Sequence, residues 1–326
     1  YEVIATGLRN PNGMGIADGD LITVAPQEGE WTPASAIYVV REGDHYGYLG
    51  PQVNETRPLG YDPPMLWLPR LLDNSSGGQV MIPEQGWGGL GGKLLHLSFG
   101  RCWPLVVYPE RTADGWQGAA VRLPFECDSG ICRGRVRPGT SAIFLAGLKG
   151  WASSSVQDGC LHRLVPTGEP TTVPIRCTTM ADGLLLEFDL PLDPTTTVEV
   201  GRWSAQQWNY RYSAEYGSAD YRPSQPSRPG HDELRIRDVT LSPDGRSVFV
   251  RMPEIAPVMQ VALTYDLTTA DGQPIADTLY GTIRRLGDER GPADPTPEVP
   301  SIDAGDRATA RGLLLRMADA RLDGTL

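Results

Sequence analysis

Residues 5–48 read ATGLRNPNGMGIADGDLITVAPQEGEWTPASAIYVVREGDHYGY. The stretch is punctuated in a fixed order. GLRNPNG is a turn, since Gly and Asn accept positive φ and Pro presets φ. Asp18–Gly19 between two short apolar runs is a hairpin signal. A β-branched and aromatic run, AIYVV, follows and is closed by G-x-x-Y-G-Y. Strands are expected at Gly13–Ala17, Leu21–Ala25 and Ile37–Arg41, because short alternating segments between turn residues fit a pleated, half-buried sheet.

The pattern continues outward. After a polar, Pro-rich excursion over 49–75, whose apolar PPMLWLP (63–69) is expected to pack across the preceding strands, a second unit carries strand candidates at Gln79–Ile82, Lys93–Ser98, Pro104–Tyr108 and Gly118–Pro124. A third has candidates at Gly130–Val136, Ala142–Leu148, Gly159–Val165 and Thr172–Cys177. The spacing is roughly 45–50 residues per unit, which suits four-stranded blades of a propeller. The pattern changes at Asp182–Gly183. LLLEFDLPL (184–192), TTVEVGRWS (196–204), ELRIRDVTLS (233–242), SVFVRMPE (247–254), MQVALTYDL (259–267) and TLYGTIRRL (278–286) read as the strands of an Ig-like sandwich. Residues 287–302 are Pro-rich and acidic, an extended linker, and a short terminal helix is expected near Gly305–Leu322. The expected fold is all-β: a partial β-propeller of about three blades over 1–181, an Ig-like β-sandwich over 182–287, and a linker with a C-terminal helix over 288–326.

Composition narrows the function. With a net charge of −11, no basic face for nucleic-acid phosphates is visible in the sequence, and a nucleic-acid partner is not expected. No apolar run is long enough to span a bilayer as a helix. The chain begins with Tyr, so a removed leader or a cut from a larger chain is expected. Five cysteines, Cys102, Cys127, Cys132, Cys160 and Cys177, include no C-x-x-C. Cys160 and Cys177 lie equally far from Gly168–Glu169, so a simple hairpin there sets them opposite each other as a candidate disulfide. Cys127 and Cys132 can close a small loop. Bridges would mean an oxidising compartment; free buried thiols are the alternative.

GLRNPNG and the G-x-x-YGY close resemble one blade of the six-bladed propeller of soluble quinoprotein glucose/sorbosone dehydrogenases. DNSSGGQV (73–80), GGKLLHLSFG (91–100), SGICRGRV (129–136), LKGWASSSVQDG (148–159), QQWNYRYSAEYGSADY (206–221) and PVMQVALTY (257–265) resemble the large propeller proteins of planctomycete-type bacteria, which join such a propeller to an Ig-like domain and often to a cytochrome c module. So does the Y-x-T-I-x-x-L-G close (280–287). The matching dehydrogenase blade lies mid-chain, so the sequence is expected to be the back half of a propeller. Its catalytic His lies upstream, so turnover is not expected here.

The resemblance marks Arg9 and Asn10 as the pair that contacts the quinone in the dehydrogenases, with the loop A-P-Q-E-G (25–29) near their calcium. An Arg fork suits a carboxylated quinone; a turn that stabilises a sheet edge is the structural alternative. The four histidines, His45, His96, His162 and His231, lack metal-ligand spacing, and His96, alternating with apolar neighbours, reads as a core residue. The aromatics Trp203, Trp208, Tyr210 and Tyr212, with Tyr216 and Tyr221, fit either sugar stacking or an interdomain core. Asn54 and Asn74 begin glycosylation sequons. Asp73 and Asn74 are oxygen donors, but carboxylates around them are too sparse for a calcium site.

An incomplete propeller exposes sheet edges and an apolar face. The expected function is therefore a non-catalytic, periplasmic or extracellular accessory subunit without a cofactor. Other protein subunits would cover the open propeller face, in a membrane electron-transfer complex such as a cytochrome complex. The alternatives are a fragment of a PQQ- and calcium-dependent sugar dehydrogenase, or a carbohydrate-binding module.

Overall fold

The computed structural model describes residues 1–17, 21–50, 60–150 and 152–287. The chain is all-β. Among the described residues the strands form antiparallel sheets, none of which closes on itself. The first sheet is a meander of β1 (Gly13–Ile16), β2 (Ile22–Ala25), β3 (Ser35–Val39) and β4 (Leu66–Leu68). A second meander runs β5 (Ser76–Met81), β6 (Leu94–Ser98), β7 (Pro104–Thr112) and β8 (Gly115–Arg122). The third has three strands, β9 (Gly130–Val136), β10 (Ile143–Leu148) and β11 (Gly159–Leu164).

The C-terminal part holds β12 (Pro174–Thr179), β13 (Gly183–Phe188), the one-turn helix α1 (Pro194–Thr197), β14 (Trp203–Trp208), β15 (Asp232–Leu234), β16 (Asp238–Leu241), β17 (Ser247–Arg251), β18 (Val258–Thr268) and β19 (Pro274–Ile283). One sheet has the order β12-β13-β17-β16. The other, β15-β14-β18-β19, does not end at β19, for β19 pairs with β8 through Tyr280↔Ala120, Gly281↔Ala119 and Thr282↔Gly118. The second meander and half of the C-terminal unit are therefore one eight-stranded sheet.

That sheet is the spine of the molecule, and its second-meander strands are buried on both faces because their residues alternate between two cores. Leu95, Leu97, Val106 and Val121 point into a core shared with Ile131, Ile143 and Leu145 of the third sheet and with Leu184, Leu186 and Phe188 of β13. Leu94, Leu105, Val107 and Ala120 point the other way, onto Ala25, Ile37, Leu66 and Leu68 of the first sheet. The first strands of the three meanders approach backbone to backbone. A Cβ on Gly13 would lie 1.8 Å from the Gly77 carbonyl oxygen, and one on Gly77 would lie 2.2 Å from that of Ile131. Only glycine tolerates such contacts.

Several expectations change. PPMLWLP does not simply lie across its neighbours; it supplies β4, paired with β3. The segment expected to finish the third meander, Thr172–Cys177, pairs instead with β13, Cys177 facing Leu186. The turn at Gly168–Glu169 is therefore not the tip of a hairpin between Cys160 and Cys177; Cys160 faces Gly147 on β10. All five cysteines are free, Cys127 and Cys132 included. TTVEVGRWS is not a single strand. Asp193 accepts from Thr195 N and Thr196 N, and with Pro194 at the first helical position it starts α1; a 3₁₀ turn follows at Val200–Arg202 before β14. Asp is a strong N-cap and Pro suits the first turn, so local chemistry outweighs the β-branched composition. The expected linker from 288 and terminal helix, and the Asn54 sequon, lie outside the described residues.

Candidate functional site

Arg9 and Asn10 sit in the turn before β1. The Arg9 guanidinium is largely buried. Its Nη1 donates to the Glu28 carbonyl at 2.7 Å, its Nε donates to Glu30 Oε2 at 3.2 Å, and it lies 4.9 Å over the Tyr216 ring. Asn10 has φ 44°, as a residue that tolerates the left-handed region does in a tight turn. Gln27 N bonds back to the Arg9 carbonyl at 3.0 Å. The pair therefore clamps the 25–30 loop to the turn. The fork that would grip a quinone carboxylate is already engaged, and the Glu28 carbonyl of the A-P-Q-E-G loop is turned to Arg9 rather than towards an ion. These residues do not fit a quinone and calcium as they stand.

A buried polar network holds the first sheet to the second. Asp73 accepts from Ser75 N (3.0 Å), Ser76 Oγ (2.8 Å) and Ser98 Oγ (2.6 Å), and lies 2.8 Å from His96 Nε2. His96 Nδ1 meets Gln79 Nε2 at 3.0 Å, and Thr23 Oγ1 on β2 donates to Gln79 Oε1 at 3.1 Å. His96 and Asp73 are fully buried. Four partners fill the acceptor capacity of the carboxylate, so Asp73 is a structural anchor. His96 is the core residue that its apolar neighbours suggested.

The aromatic residues separate into two groups. Trp203 lies in the core of the C-terminal unit, 5.7 Å from Tyr265, with its indole N–H donating to Thr197 O at 2.9 Å. Trp208, Tyr210 and Tyr212 form the seam with the first sheet. Tyr210 packs on Trp67 at 5.8 Å, and Tyr212 packs on Tyr61 at 5.0 Å and donates to Gly47 O at 2.6 Å. Trp208 is only 3% exposed, with His231 stacked on its face at 4.0 Å. A sugar platform needs an open ring face; Trp203, Trp208 and Tyr210 are buried, Tyr212 and Tyr221 are half-buried, and Tyr216 is exposed with Arg9 over its ring.

Beside this seam lies a cleft of about 370 Å³, lined in part by Glu28, Arg70, Trp208, Asp220, His231 and Tyr280. Its polar groups pair with one another. Arg70 grips the buried Glu28 carboxylate, with Nε 2.7 and 2.8 Å from the two oxygens, and this bond is the main reason the guanidinium is held above its ordinary range. His231 bridges Asp220 (2.7 Å) and Gln206 (2.9 Å), and Thr264 meets Thr278 at 2.8 Å. Arg70 with Glu28, and His231 with Asp220, are thus paired inside the cleft. Burial pushes the Cys127 thiol up to about 12 and also raises Cys177, which disfavours the reactive thiolate at both.

The outer face of the third sheet differs from all of these. Register places Arg133, Ala146 and Leu161 in one row and Arg135, Phe144 and Arg163 in the next. Leu161 is 73% exposed and Leu148 51%. β9, β10 and β11 contain no Asp or Glu, in a chain of net charge −11. Sequence reading did not single out this face. The signal was present as R-G-R over Arg133–Arg135, two like charges at strand period two, with Arg163 two residues after an exposed Leu.

No family model, curated protein or solved structure matches the chain. The chain is all-β, and among the described residues the outer face of β9–β11 is apolar, basic and open to solvent.

Proposed function

We propose that the chain is a non-catalytic, extracytoplasmic accessory subunit that docks on a larger assembly through the outer face of β9–β11. The observation that carries this reading is the exposure of Leu148 and Leu161 on a sheet whose opposite face is core. An apolar sheet face of this kind marks a protein contact. Arg9 is already held by the Glu28 carbonyl and Glu30, which leaves the quinone-dependent alternative with less support.

The propeller-like part of the reading is supported by three consecutive meanders whose first strands abut, as inner strands of neighbouring blades do. An Ig-like C-terminal unit is supported by the orders β12-β13-β17-β16 and β15-β14-β18-β19, which follow the A-B-E-D and C′-C-F-G pattern of that fold. A membrane electron-transfer complex is the preferred host, on the resemblance to propeller proteins joined to cytochrome c. The free thiols give no support of their own to an oxidising compartment.

Native purification of the tagged full chain with mass spectrometry tests the reading. A stoichiometric partner is expected, and Leu148→Asp with Leu161→Asp should release it while the melting temperature stays put. Sugar-dependent dye reduction by the chain with PQQ and calcium, abolished by Arg9→Ala, would replace this reading with the dehydrogenase alternative.

A further inference from the structure

We infer that β11 accepts an added strand from an acidic, extended segment of a partner chain, which completes the third meander. This rests on the docking reading above and names what docks. The first and second meanders each have four strands, whereas the third stops at three. The segment that should supply its fourth strand is claimed by β13. β11 therefore pairs with β10 on one side only and ends its sheet. Proteins usually blunt such an edge with Lys, Pro or a cover; β11, GCLHRL, has neither Lys nor Pro.

The chemistry of the occupant follows from the rows next to it. An incoming strand lies beside Leu161 and Arg163, with Arg133 and Arg135 three strands away on the same face. Cross-strand neighbours favour opposite charge and apolar contact, and directly opposed like charges repel. The matching segment alternates so that apolar and acidic side chains line this face. Main-chain bonds supply affinity and the alternating side chains supply selection, as in other strand-addition complexes. A second copy of this chain is disfavoured, since pairing β11 with β11 joins two Arg-bearing, acid-free faces in one sheet.

The test uses the full chain and short acetylated, fluorescein-labelled peptides matched in length to β11: Val alternating with Glu, and Val alternating with Lys. Anisotropy should give about tenfold tighter binding of the Val/Glu peptide, weakening as salt rises. Amide exchange at 159–164 should slow when it binds. Arg135→Glu with Arg163→Glu should reverse the preference. Because His162→Pro risks misfolding, the Val/Glu peptide N-methylated at alternate residues provides the same test from the ligand side and should lose about tenfold. Equal binding of the two charge types, no protection at 159–164, undiminished binding after N-methylation, or a dimer dissolved by the peptide would each overturn the inference. If the native partner is captured through Leu148 and Leu161 yet strand blocking has no effect, strand addition fails and the docking reading stands. If no partner is captured, the docking reading itself fails.

Discussion

The first and third sheets flank the same eight-stranded spine, and they end differently. Over the first sheet, the C-terminal unit lays Trp208 and Tyr210 on Tyr38 and Trp67, and β4 is tied to β19 by Trp67 N donating to Thr282 Oγ1 at 2.8 Å. Nothing among the described residues covers the outer face of β9–β11 in this way. The same chain thus uses its aromatic side chains to seal one flank and leaves Leu, Phe and Arg on the other. The seal is partial, since Met14 and Ile16 on the edge strand β1 are 60% and 47% exposed, so the contrast lies between the aromatic seam at β3 and β4 and the open face of β9–β11.

The comparison can be broken by substitution. Trp67→Ala, at 2% exposure in the sealed flank, should lower unfolding free energy by about 3–5 kcal/mol in urea titrations. A loss below about 1 kcal/mol would mean that the seam is loosely packed. Asp73→Ala should cost about 2–4 kcal/mol, because it leaves His96, Ser76 and Ser98 buried without their shared acceptor; the same titration checks it.

A pH test sharpens the sealed side. Asp277 on β19 is pushed from the usual 3.8 up to about 6, first by burial, with the Thr278 N–H and Arg122 opposing. A carboxyl whose folded pKa is raised disfavours the folded state once it ionises. Its cost grows as pH rises from about 4 through 6 and is constant above that. Asp277→Asn should therefore stabilise the protein by about 1–2 kcal/mol at pH 8, after allowance for partial solvent screening, and leave it unchanged below pH 3.5. Thermal melts at the two pH values decide it; equal shifts at both would remove Asp277 as the cause. On the open flank, Leu161→Ser should change stability by no more than about 0.5 kcal/mol. A larger loss by the same melts would show that Leu161 is structural and would erase the contrast between the flanks.

Most strands were legible because their pattern is local. GMGI, LLHLS and the alternating β18 segment announce themselves through turn residues and period two. The sheet to which a strand belongs was less legible. Thr172–Cys177 fits the third meander by spacing, but β13 offers it Leu184–Leu186 across a tight Asp182–Gly183 turn, and the nearer partner wins. The pairing of β8 with β19 joins residues far apart in sequence, and no local pattern encodes such a register. Among the site residues, His96 and the seam aromatics could be anticipated from burial tendencies. The bonds that occupy Arg9 could not, since Glu28 and Glu30 meet it only once the 25–30 loop has folded back. The cysteine pairing was misjudged for the same reason: symmetry about a turn does not make a hairpin.

The three register pairs between β8 and β19 also bear on how the molecule behaves when held at two points. To swing the C-terminal unit about the second meander, those backbone hydrogen bonds must break together. A ladder shared in this way resists hinge motion between the two parts it joins. Whatever grips the second meander and whatever grips the C-terminal unit would be kept at a set spacing and angle.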